Sequence, residues 1–385
     1  MERSARTAKI AAVTAIAVVS LTACGGKTTA TAPQAHHATV FTSSVFVNAV
    51  GLTHQTARGA QPVIGPDDMA YLDGHVFVGF QNGVGPMGEP SALANKDSTI
   101  IEFDRQGHKI AQWDIIGKND GLGADPSTNR LIATVNEDGN SSVYLIDPAA
   151  GSTPVHYQYS GQLPHGGGTD DISVYHGTVL ISASAPGSTG KAAPQPTYPA
   201  VYRVTFDSGT HVATFHGIFS GEANATIANT NVATSGKAGR LALTDPDSSE
   251  IVPAFASRFA GDFVLASQGD LEQIFVHNPG ASNQSLSVLK LSGPVDDAAF
   301  VSDPSGAIYT TDNVADAIYK ITGPFVKGST FVAVTPCDAG NAPATCPGPG
   351  FPQNYLGQLN LQTGAITGIA VHGVATAPKG MLFLP

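Results

Sequence analysis

The chain has 385 residues, of which 42% are hydrophobic and only 13% charged, with 43 Gly and 26 Pro. Ordinary globular chains carry about 25% charged residues, and this chain has no Gly-X-Y period and is too apolar for bulk disorder, so collagen-like and disordered classes are excluded. The formal net charge of −11 excludes a nucleic-acid backbone as partner, which needs clustered Lys and Arg.

Arg3, Arg6 and Lys9 form a basic start, and Ile10 to Leu21 is an apolar stretch too short to span a bilayer as a stable helix. Leu21-Thr22-Ala23-Cys24-Gly25-Gly26 follows. This run resembles the lipobox of bacterial lipoproteins. The resemblance implies that residues 1–23 are a signal peptide and that Cys24 carries lipid as the mature N-terminus. The expected address is then export, anchored to the outer face of the cell membrane or in an outer membrane. The alternative is an ordinary signal peptide with an incidental Cys. Residues 24–39, rich in Gly, Thr, Ala and Pro, read as a flexible tether.

The other two cysteines, Cys337 and Cys346, flank the loop-forming string Asp-Ala-Gly-Asn-Ala-Pro-Ala-Thr. In an exported chain they are expected to form a local disulfide; two free thiols are the alternative.

From residue 40 to 385 the pattern is all-β: short β-branched and aromatic runs separated by Gly, Asp, Asn and Pro turns. Seven strand–turn–strand units recur, at 98–115, 142–159, 200–217, 240–255, 273–291, 317–334 and 356–371. Ile101 and Leu359 are 258 residues apart over six intervals, or 43 residues per repeat. That is the size of a four-stranded propeller blade. Seven blades are favoured and six are the alternative. Inner strand pairs are expected at 69–80, 172–184 and 298–312. The two chain ends, 40–48 and 380–385, are expected to close the ring and remove an open sheet edge.

Ala307 to Thr322, AIYTTDNVADAIYKIT, resembles the strand–turn–strand core of NHL-repeat and gluconolactonase-like propellers, and Leu241 to Val252 is a looser copy. The resemblance covers about two repeats. It implies the fold, and in the gluconolactonase branch a divalent metal held by Glu, Asn and Asp. Glu137 and Asn136, in the oxygen-rich run Asn136-Glu137-Asp138-Gly139-Asn140, are the residues it carries over.

Three inner strands start alike, at Pro66-Asp67-Asp68-Met69, Thr169-Asp170-Asp171-Ile172 and Val295-Asp296-Asp297-Ala298, with Asn119-Asp120-Gly121-Leu122 in the same place of another repeat. Radial blades would bring Asp68, Asp120, Asp171 and Asp297 around one axis. Such carboxylates repel unless hydrated, protonated or bridged by a cation, and a Ca²⁺-type ion takes oxygen ligands of this kind. The competing expectation is that each Asp bonds neighbouring backbone amides, blade to blade.

His165 is expected in a loop at the channel mouth, as a ligand-binding residue or general base. His165-Gly166-Gly167-Gly168 lacks the Gly-x-Ser-x-Gly partner of an esterase. Gly83-Val84-Gly85-Pro86-Met87-Gly88 spells a dinucleotide fingerprint without the helix it needs. Two functions follow. The first is an anchored, non-catalytic, monomeric module binding a protein, glycan or small molecule. The second is a divalent-metal hydrolase of lactonase type.

Overall fold

A computed structural model describes residues 39–149, 151–184, 198–336 and 354–385. Cys24, Cys337 and Cys346, the signal peptide, most of the tether and the Pro-rich stretch 185–197 lie outside these residues. Apart from one 3₁₀ turn, Gln268–Asp270, the described regular structure is β.

Most described strands pair into six units built on four strands each; Val371–Gly373 adds a fifth strand to the last of them, and Thr53–Thr56 with Gly59–Pro62 forms a separate hairpin. Blade 1 is Pro66–Leu72, His75–Phe80, Asp97–Phe103 and Lys109–Ile116. Blade 2 is Asn119–Asp125, Arg130–Val135, Ser142–Ile146 and Val155–Tyr159. Blade 3 is Ile172–Tyr175, Thr178–Ser182, Pro199–Asp207 and Val212–Ser220, joined to blade 2 at its outer edge. Blade 4 is Pro246–Ile251, Phe263–Ser267, Glu272–His277 and Ser285–Lys290, extended outward by Asn224–Ile227 and Ala238–Arg240.

Blades 5 and 6 interleave. Val295–Phe300 starts blade 5, and the chain then leaves to build Ala307–Asp312 and Ala317–Thr322 in blade 6. It returns for Thr330–Val334, Tyr355–Leu359 and Ile366–Gly368 of blade 5. Blade 6 is completed by the chain ends: Met381–Leu384 pairs with Ala307–Asp312, and Phe41–Asn48 pairs with Ala317–Thr322. The expected closure by both ends is therefore present, around the 307–322 hairpin rather than the 356–371 unit.

The inner strands touch in order around the ring, from blade 1 through blade 6 and back to blade 1. The molecule is a β-propeller, and the strands among the described residues pair into six blade-like units, the alternative to the seven that were favoured. Two of the seven repeating units are not hairpins. Residues 240–255 contain the inner strand of blade 4, and 317–334 spans one strand of blade 6 and one of blade 5. The expected inner pair at 298–312 is likewise divided between two blades.

Strand alternation explains why the ring is cohesive. Successive side chains point to opposite sheet faces, and each face meets another blade. Val76, Val78, Phe80 and Ile101 pack against Tyr309 and Ile318 of blade 6, while Phe77 and Ile100 pack against Leu131, Val135 and Tyr144 of blade 2. Six such clusters fill the six blade interfaces. Each fully buried large aliphatic or aromatic side chain contributes on the order of 1.5–3 kcal/mol. The middle strands consequently read as unbroken apolar runs, such as Val76-Phe77-Val78-Gly79-Phe80.

Candidate functional site: the acidic channel

Four inner strands begin with a bulge. Pro66 pairs with Phe80 and Met69 with Val78, so the two intervening residues face fewer partners. The same shift occurs at Asn119/Leu122, Pro246/Ser249 and Val295/Ala298. A bulge re-aims side chains, and here it turns two successive residues per blade towards the axis. The register gives two tiers. The upper tier is Asp67, Asp120, Asp170, Asp247, Asp296 and Lys379. The lower tier, the waist, is Asp68, Gly121, Asp171, Ser248, Asp297 and Gly380. Eleven of these twelve, all but Gly121, line one narrow cavity of about 40 Å³, room for little more than a water or an ion.

The waist alternates Asp with a small residue. Asp68 accepts from its own Met69 N–H at 2.7 Å and from Leu122 N–H of blade 2 at 2.7 Å. Asp171 accepts from Ile172 N–H at 2.6 Å and from Ser249 N–H of blade 4 at 2.5 Å. Asp297 accepts from Ala298 N–H at 2.6 Å and from Met381 N–H of blade 6 at 2.5 Å. Each odd blade is thus stapled to the next even blade by a carboxylate. The small residues follow from the same geometry. A Cβ on Gly121 would run into the Asp170 carbonyl oxygen, and one on Gly380 into that of Asp67. Charge-assisted bonds of this kind are about twice as strong as neutral ones.

Burial, and then the neighbouring waist carboxylates, hold Asp68 and Asp297 well above the usual carboxylate range, with the amide bonds pulling back. Asp171 is pushed up to about 6, chiefly by burial.

The upper tier is bonded unevenly. Lys379 Nζ lies 2.6 Å from Asp67 Oδ1. Lys118 Nζ lies 2.7 Å from Asp120 Oδ1 and also binds Glu137. Gln81 donates to Asp67 Oδ2 at 2.5 Å and to Asp120 Oδ1 at 3.0 Å. Gln268 donates to Asp296 Oδ1 at 3.2 Å and to Thr335 Oγ1 at 2.7 Å. Burial opposes the charge on Lys379, but Asp67 and Asp296 outweigh it and hold its ammonium well above the ordinary range. Among the described residues no donor reaches the carboxylates of Asp170 or Asp247, and Asp120 Oδ2 is buried without a partner. Burial and neighbouring carboxylates push Asp170 and Asp247 well up.

The structure brings Asp68, Asp171 and Asp297 together as the sequence suggested, and it realises the amide-bonded arrangement. Asp120 sits one position out of that set: it aligns with Asp67, and Gly121 holds its expected place. Asn136 ends a strand with φ +68; its Oδ1 accepts from Lys118 N–H at 2.9 Å and its Nδ2 donates to Asn140 O at 3.1 Å. Glu137 is engaged by Lys118. In this arrangement a backbone N–H takes the Asn136 side-chain oxygen, and the Lys118 ammonium takes one of the two Glu137 carboxylate oxygens. No cluster of three or more His, Cys, Asp or Glu among the described residues has metal-holding geometry.

His165 is buried inside the ring wall rather than displayed at the mouth. Nδ1 lies 2.7 Å from Tyr202 Oη and Nε2 lies 2.8 Å from Gly168 O, so both nitrogens are engaged. Burial pushes its pKa down.

Sequence reading passed over Asp247, Lys379, Lys118 and Gln81. Asp247 was legible, since Pro246-Asp247-Ser248 repeats the spelling Pro66-Asp67-Asp68 with a small third residue. Lys379 carries no such signal, because its position in the ring depends on the closure by the C-terminal strand.

No family model and no curated protein matches the chain. Its neighbours among solved structures are gluconolactonase-like and other β-propellers. The periplasmic gluconolactonase PpgL of Pseudomonas aeruginosa is 13% identical over 90% of this chain and 99% of its own, with a TM-score of 0.42. A Bacteroides thetaiotaomicron protein of unknown function is 11% identical over 89% and 69%, at TM-score 0.44. The WD40 domain of Neurospora crassa Pan2 is 12% identical over 69% and 66%, at 0.35. At these scores no residue role passes from those proteins to this chain.

Proposed function

We propose that this chain is a non-catalytic binding module of propeller fold, exported and held at the outer face of the cell membrane by lipid on Cys24, with the acidic channel mouth as its ligand face. One observation carries the reading: the waist carboxylates are engaged in stapling blades together, so the residues that looked most like a metal set have a structural task. The mouth retains carboxylate oxygens without donors on Asp120, Asp170 and Asp247, with Glu137, Asp138 and Glu89 nearby. In a chain of net charge −11 that rim favours a ligand presenting positive charge.

The lactonase-type hydrolase is the second reading, and the same open oxygens favour it. Elemental analysis of the purified chain, followed by lactone hydrolysis with and without chelator, separates the two. The binding-module reading expects no stoichiometric divalent metal and no chelator-sensitive turnover. A metal at one per chain with chelator-sensitive hydrolysis replaces it. Replacement of Cys24 by Ser tests the address: loss of the membrane-bound form is expected, and retention at mature mass rejects the anchor.

A further inference from the structure

On the far side of the waist the channel widens into a chamber of about 340 Å³, within the range of small-ligand sites. Its walls come from the residues that follow the waist in each inner strand, including Met69, Leu122, Ile172 and Met381. The next position in the register is Ala70, Gly123, Ser173, Ala299 and Leu382 in five blades, and Glu250 in blade 4. One carboxyl therefore stands in an otherwise small or apolar ring.

The Glu250 carboxyl makes no hydrogen bond or ion pair with any described residue, and its Oε2 is shut off from solvent without a partner. The nearby hydroxyls of Ser173 and Ser249 lie 3.1 Å apart and hold each other. A buried acceptor without a donor costs on the order of 1–3 kcal/mol, so the site lacks a donor that the protein does not supply. Overhead, Asp68, Asp171 and Asp297 have both oxygens on backbone amides. They offer no free ligand atoms.

We propose that this chamber binds a small organic cation, an alkylammonium whose N–H groups meet Glu250 and whose hydrocarbon packs on Met69, Leu122, Ile172 and Met381. Burial and the carboxyls of Asp297 and Asp171 disfavour charge on Glu250, so an ammonium that offsets that charge is favoured there over an organic anion that would add to it. A bare metal ion is a poor match, because hard cations take six or more oxygen ligands and Glu250 alone is open. The inference is independent of the ligand at the mouth, since the waist separates the two cavities.

The test is calorimetric titration of the purified mature chain with n-hexylammonium, n-hexanol and n-hexanoate, and with calcium chloride as competitor. The expected result is one hexylammonium per chain, hexanol at least tenfold weaker and no hexanoate binding. Glu250→Gln keeps the shape and removes the charge. It is expected to fold with an undiminished melting temperature and to lose at least tenfold in hexylammonium affinity. Four results overturn the proposal: no hexylammonium binding, equal binding of hexanol, unchanged affinity in Glu250→Gln, or displacement of hexylammonium by stoichiometric calcium. Leu122→Met, which conserves volume, serves as the second variant and is expected to alter hexylammonium affinity by less than threefold. A Leu122→Met protein that loses binding as fully as Glu250→Gln assigns the effect to packing and also overturns the proposal.

Discussion

The waist and the mouth of the channel use the same residue type, one position apart on the same strands, with different bonding. At the waist every Asp reaches two amide N–H groups, one of them on the next blade. At the mouth, Asp67, Asp120 and Asp296 are met by side chains, while Asp170 and Asp247 meet no donor. The difference is geometric. A side chain at the waist faces the neighbouring strand's backbone, and Gly121, Ser248 and Gly380 leave room for that approach. One residue earlier the side chains face the opening, where no backbone lies within reach. Acidic residues on an axis are therefore not one kind of feature: backbone geometry decides whether each one joins blades or remains available.

The largest expected effect comes from closing the space that the waist requires. Gly121→Ala places a Cβ against the Asp170 carbonyl, which is backbone and cannot swing away. We expect a loss of about 3 kcal/mol or more in urea unfolding, at the upper end of overpacking costs. Gly161→Ala, where nothing lies within 4 Å of the added atom, is the control and should be near neutral.

Next is Asp171→Ala. It leaves the Ile172 and Ser249 N–H groups without their acceptor, at a cost of about 1–3 kcal/mol for each buried group. Relief of repulsion with Asp68 and Asp297 offsets part of this, so a net loss of about 2–3 kcal/mol is expected. Asp171→Asn retains an acceptor oxygen and should lose clearly less. Equal losses would mean that the charge rather than the staple matters.

The sequence made much of this comparison readable. The strand alternation and the apolar middle strands announce blades, because burial on both faces leaves little choice of residue. The Asp pairs at 67–68, 170–171 and 296–297 announce a common register. The blade count was not readable, because it depends on which strands pair. The segment 298–312 has the spacing of an inner hairpin, yet Val295–Phe300 pairs with Thr330–Val334 instead. Asp120 was misplaced by one position for a related reason: Asn119-Asp120-Gly121 shows one acid where other blades show two, and only the pairing of Asn119 with Val135 fixes which tier it joins. Glu250 carried no signal at all, since a Glu after two serines on a strand reads as an exposed side chain until the ring closes around it.

pH sharpens the contrast through linkage. Asp171 rises from about 3.9 unfolded to about 6 folded. A raised carboxyl contributes stability that is fully present below the unfolded value and lost as pH climbs through the folded one. That group alone accounts for up to about 3 kcal/mol. Asp68, Asp297, Asp170 and Asp247 shift in the same direction and extend the loss towards neutrality. The turn-capping Asp104, Asp207 and Asp303 are held low and act with opposite sign, only at more acidic pH. The urea midpoint should therefore be higher at pH 5 than at pH 7.5, and Asp171→Asn should flatten the difference. A midpoint that rises with pH over this interval would contradict the buried, mutually repelling channel.

The smallest effect belongs to the mouth. No donor reaches the Asp247 carboxylate, and burial together with Asp296, Asp170 and Asp245 disfavours its charge. Asp247→Asn removes a like charge from that group, keeps the shape, and adds an amide N–H that can donate to a neighbouring carboxylate. The variant should be as stable as the parent or gain about 1 kcal/mol at pH 7.5, where the charge is most costly, and gain less at pH 5, where neighbouring acids are partly protonated. That is opposite in sign to Asp171→Ala, although the two residues share a residue type and a channel. Calcium supplies the decisive control. If a cation bridges the mouth in the parent protein, calcium should raise the parent's melting temperature by mass action on the native state, and Asp247→Asn should lose that rise. The donor pattern predicts a calcium-insensitive melt for both proteins, because the staples at the waist already hold the ring closed without an ion.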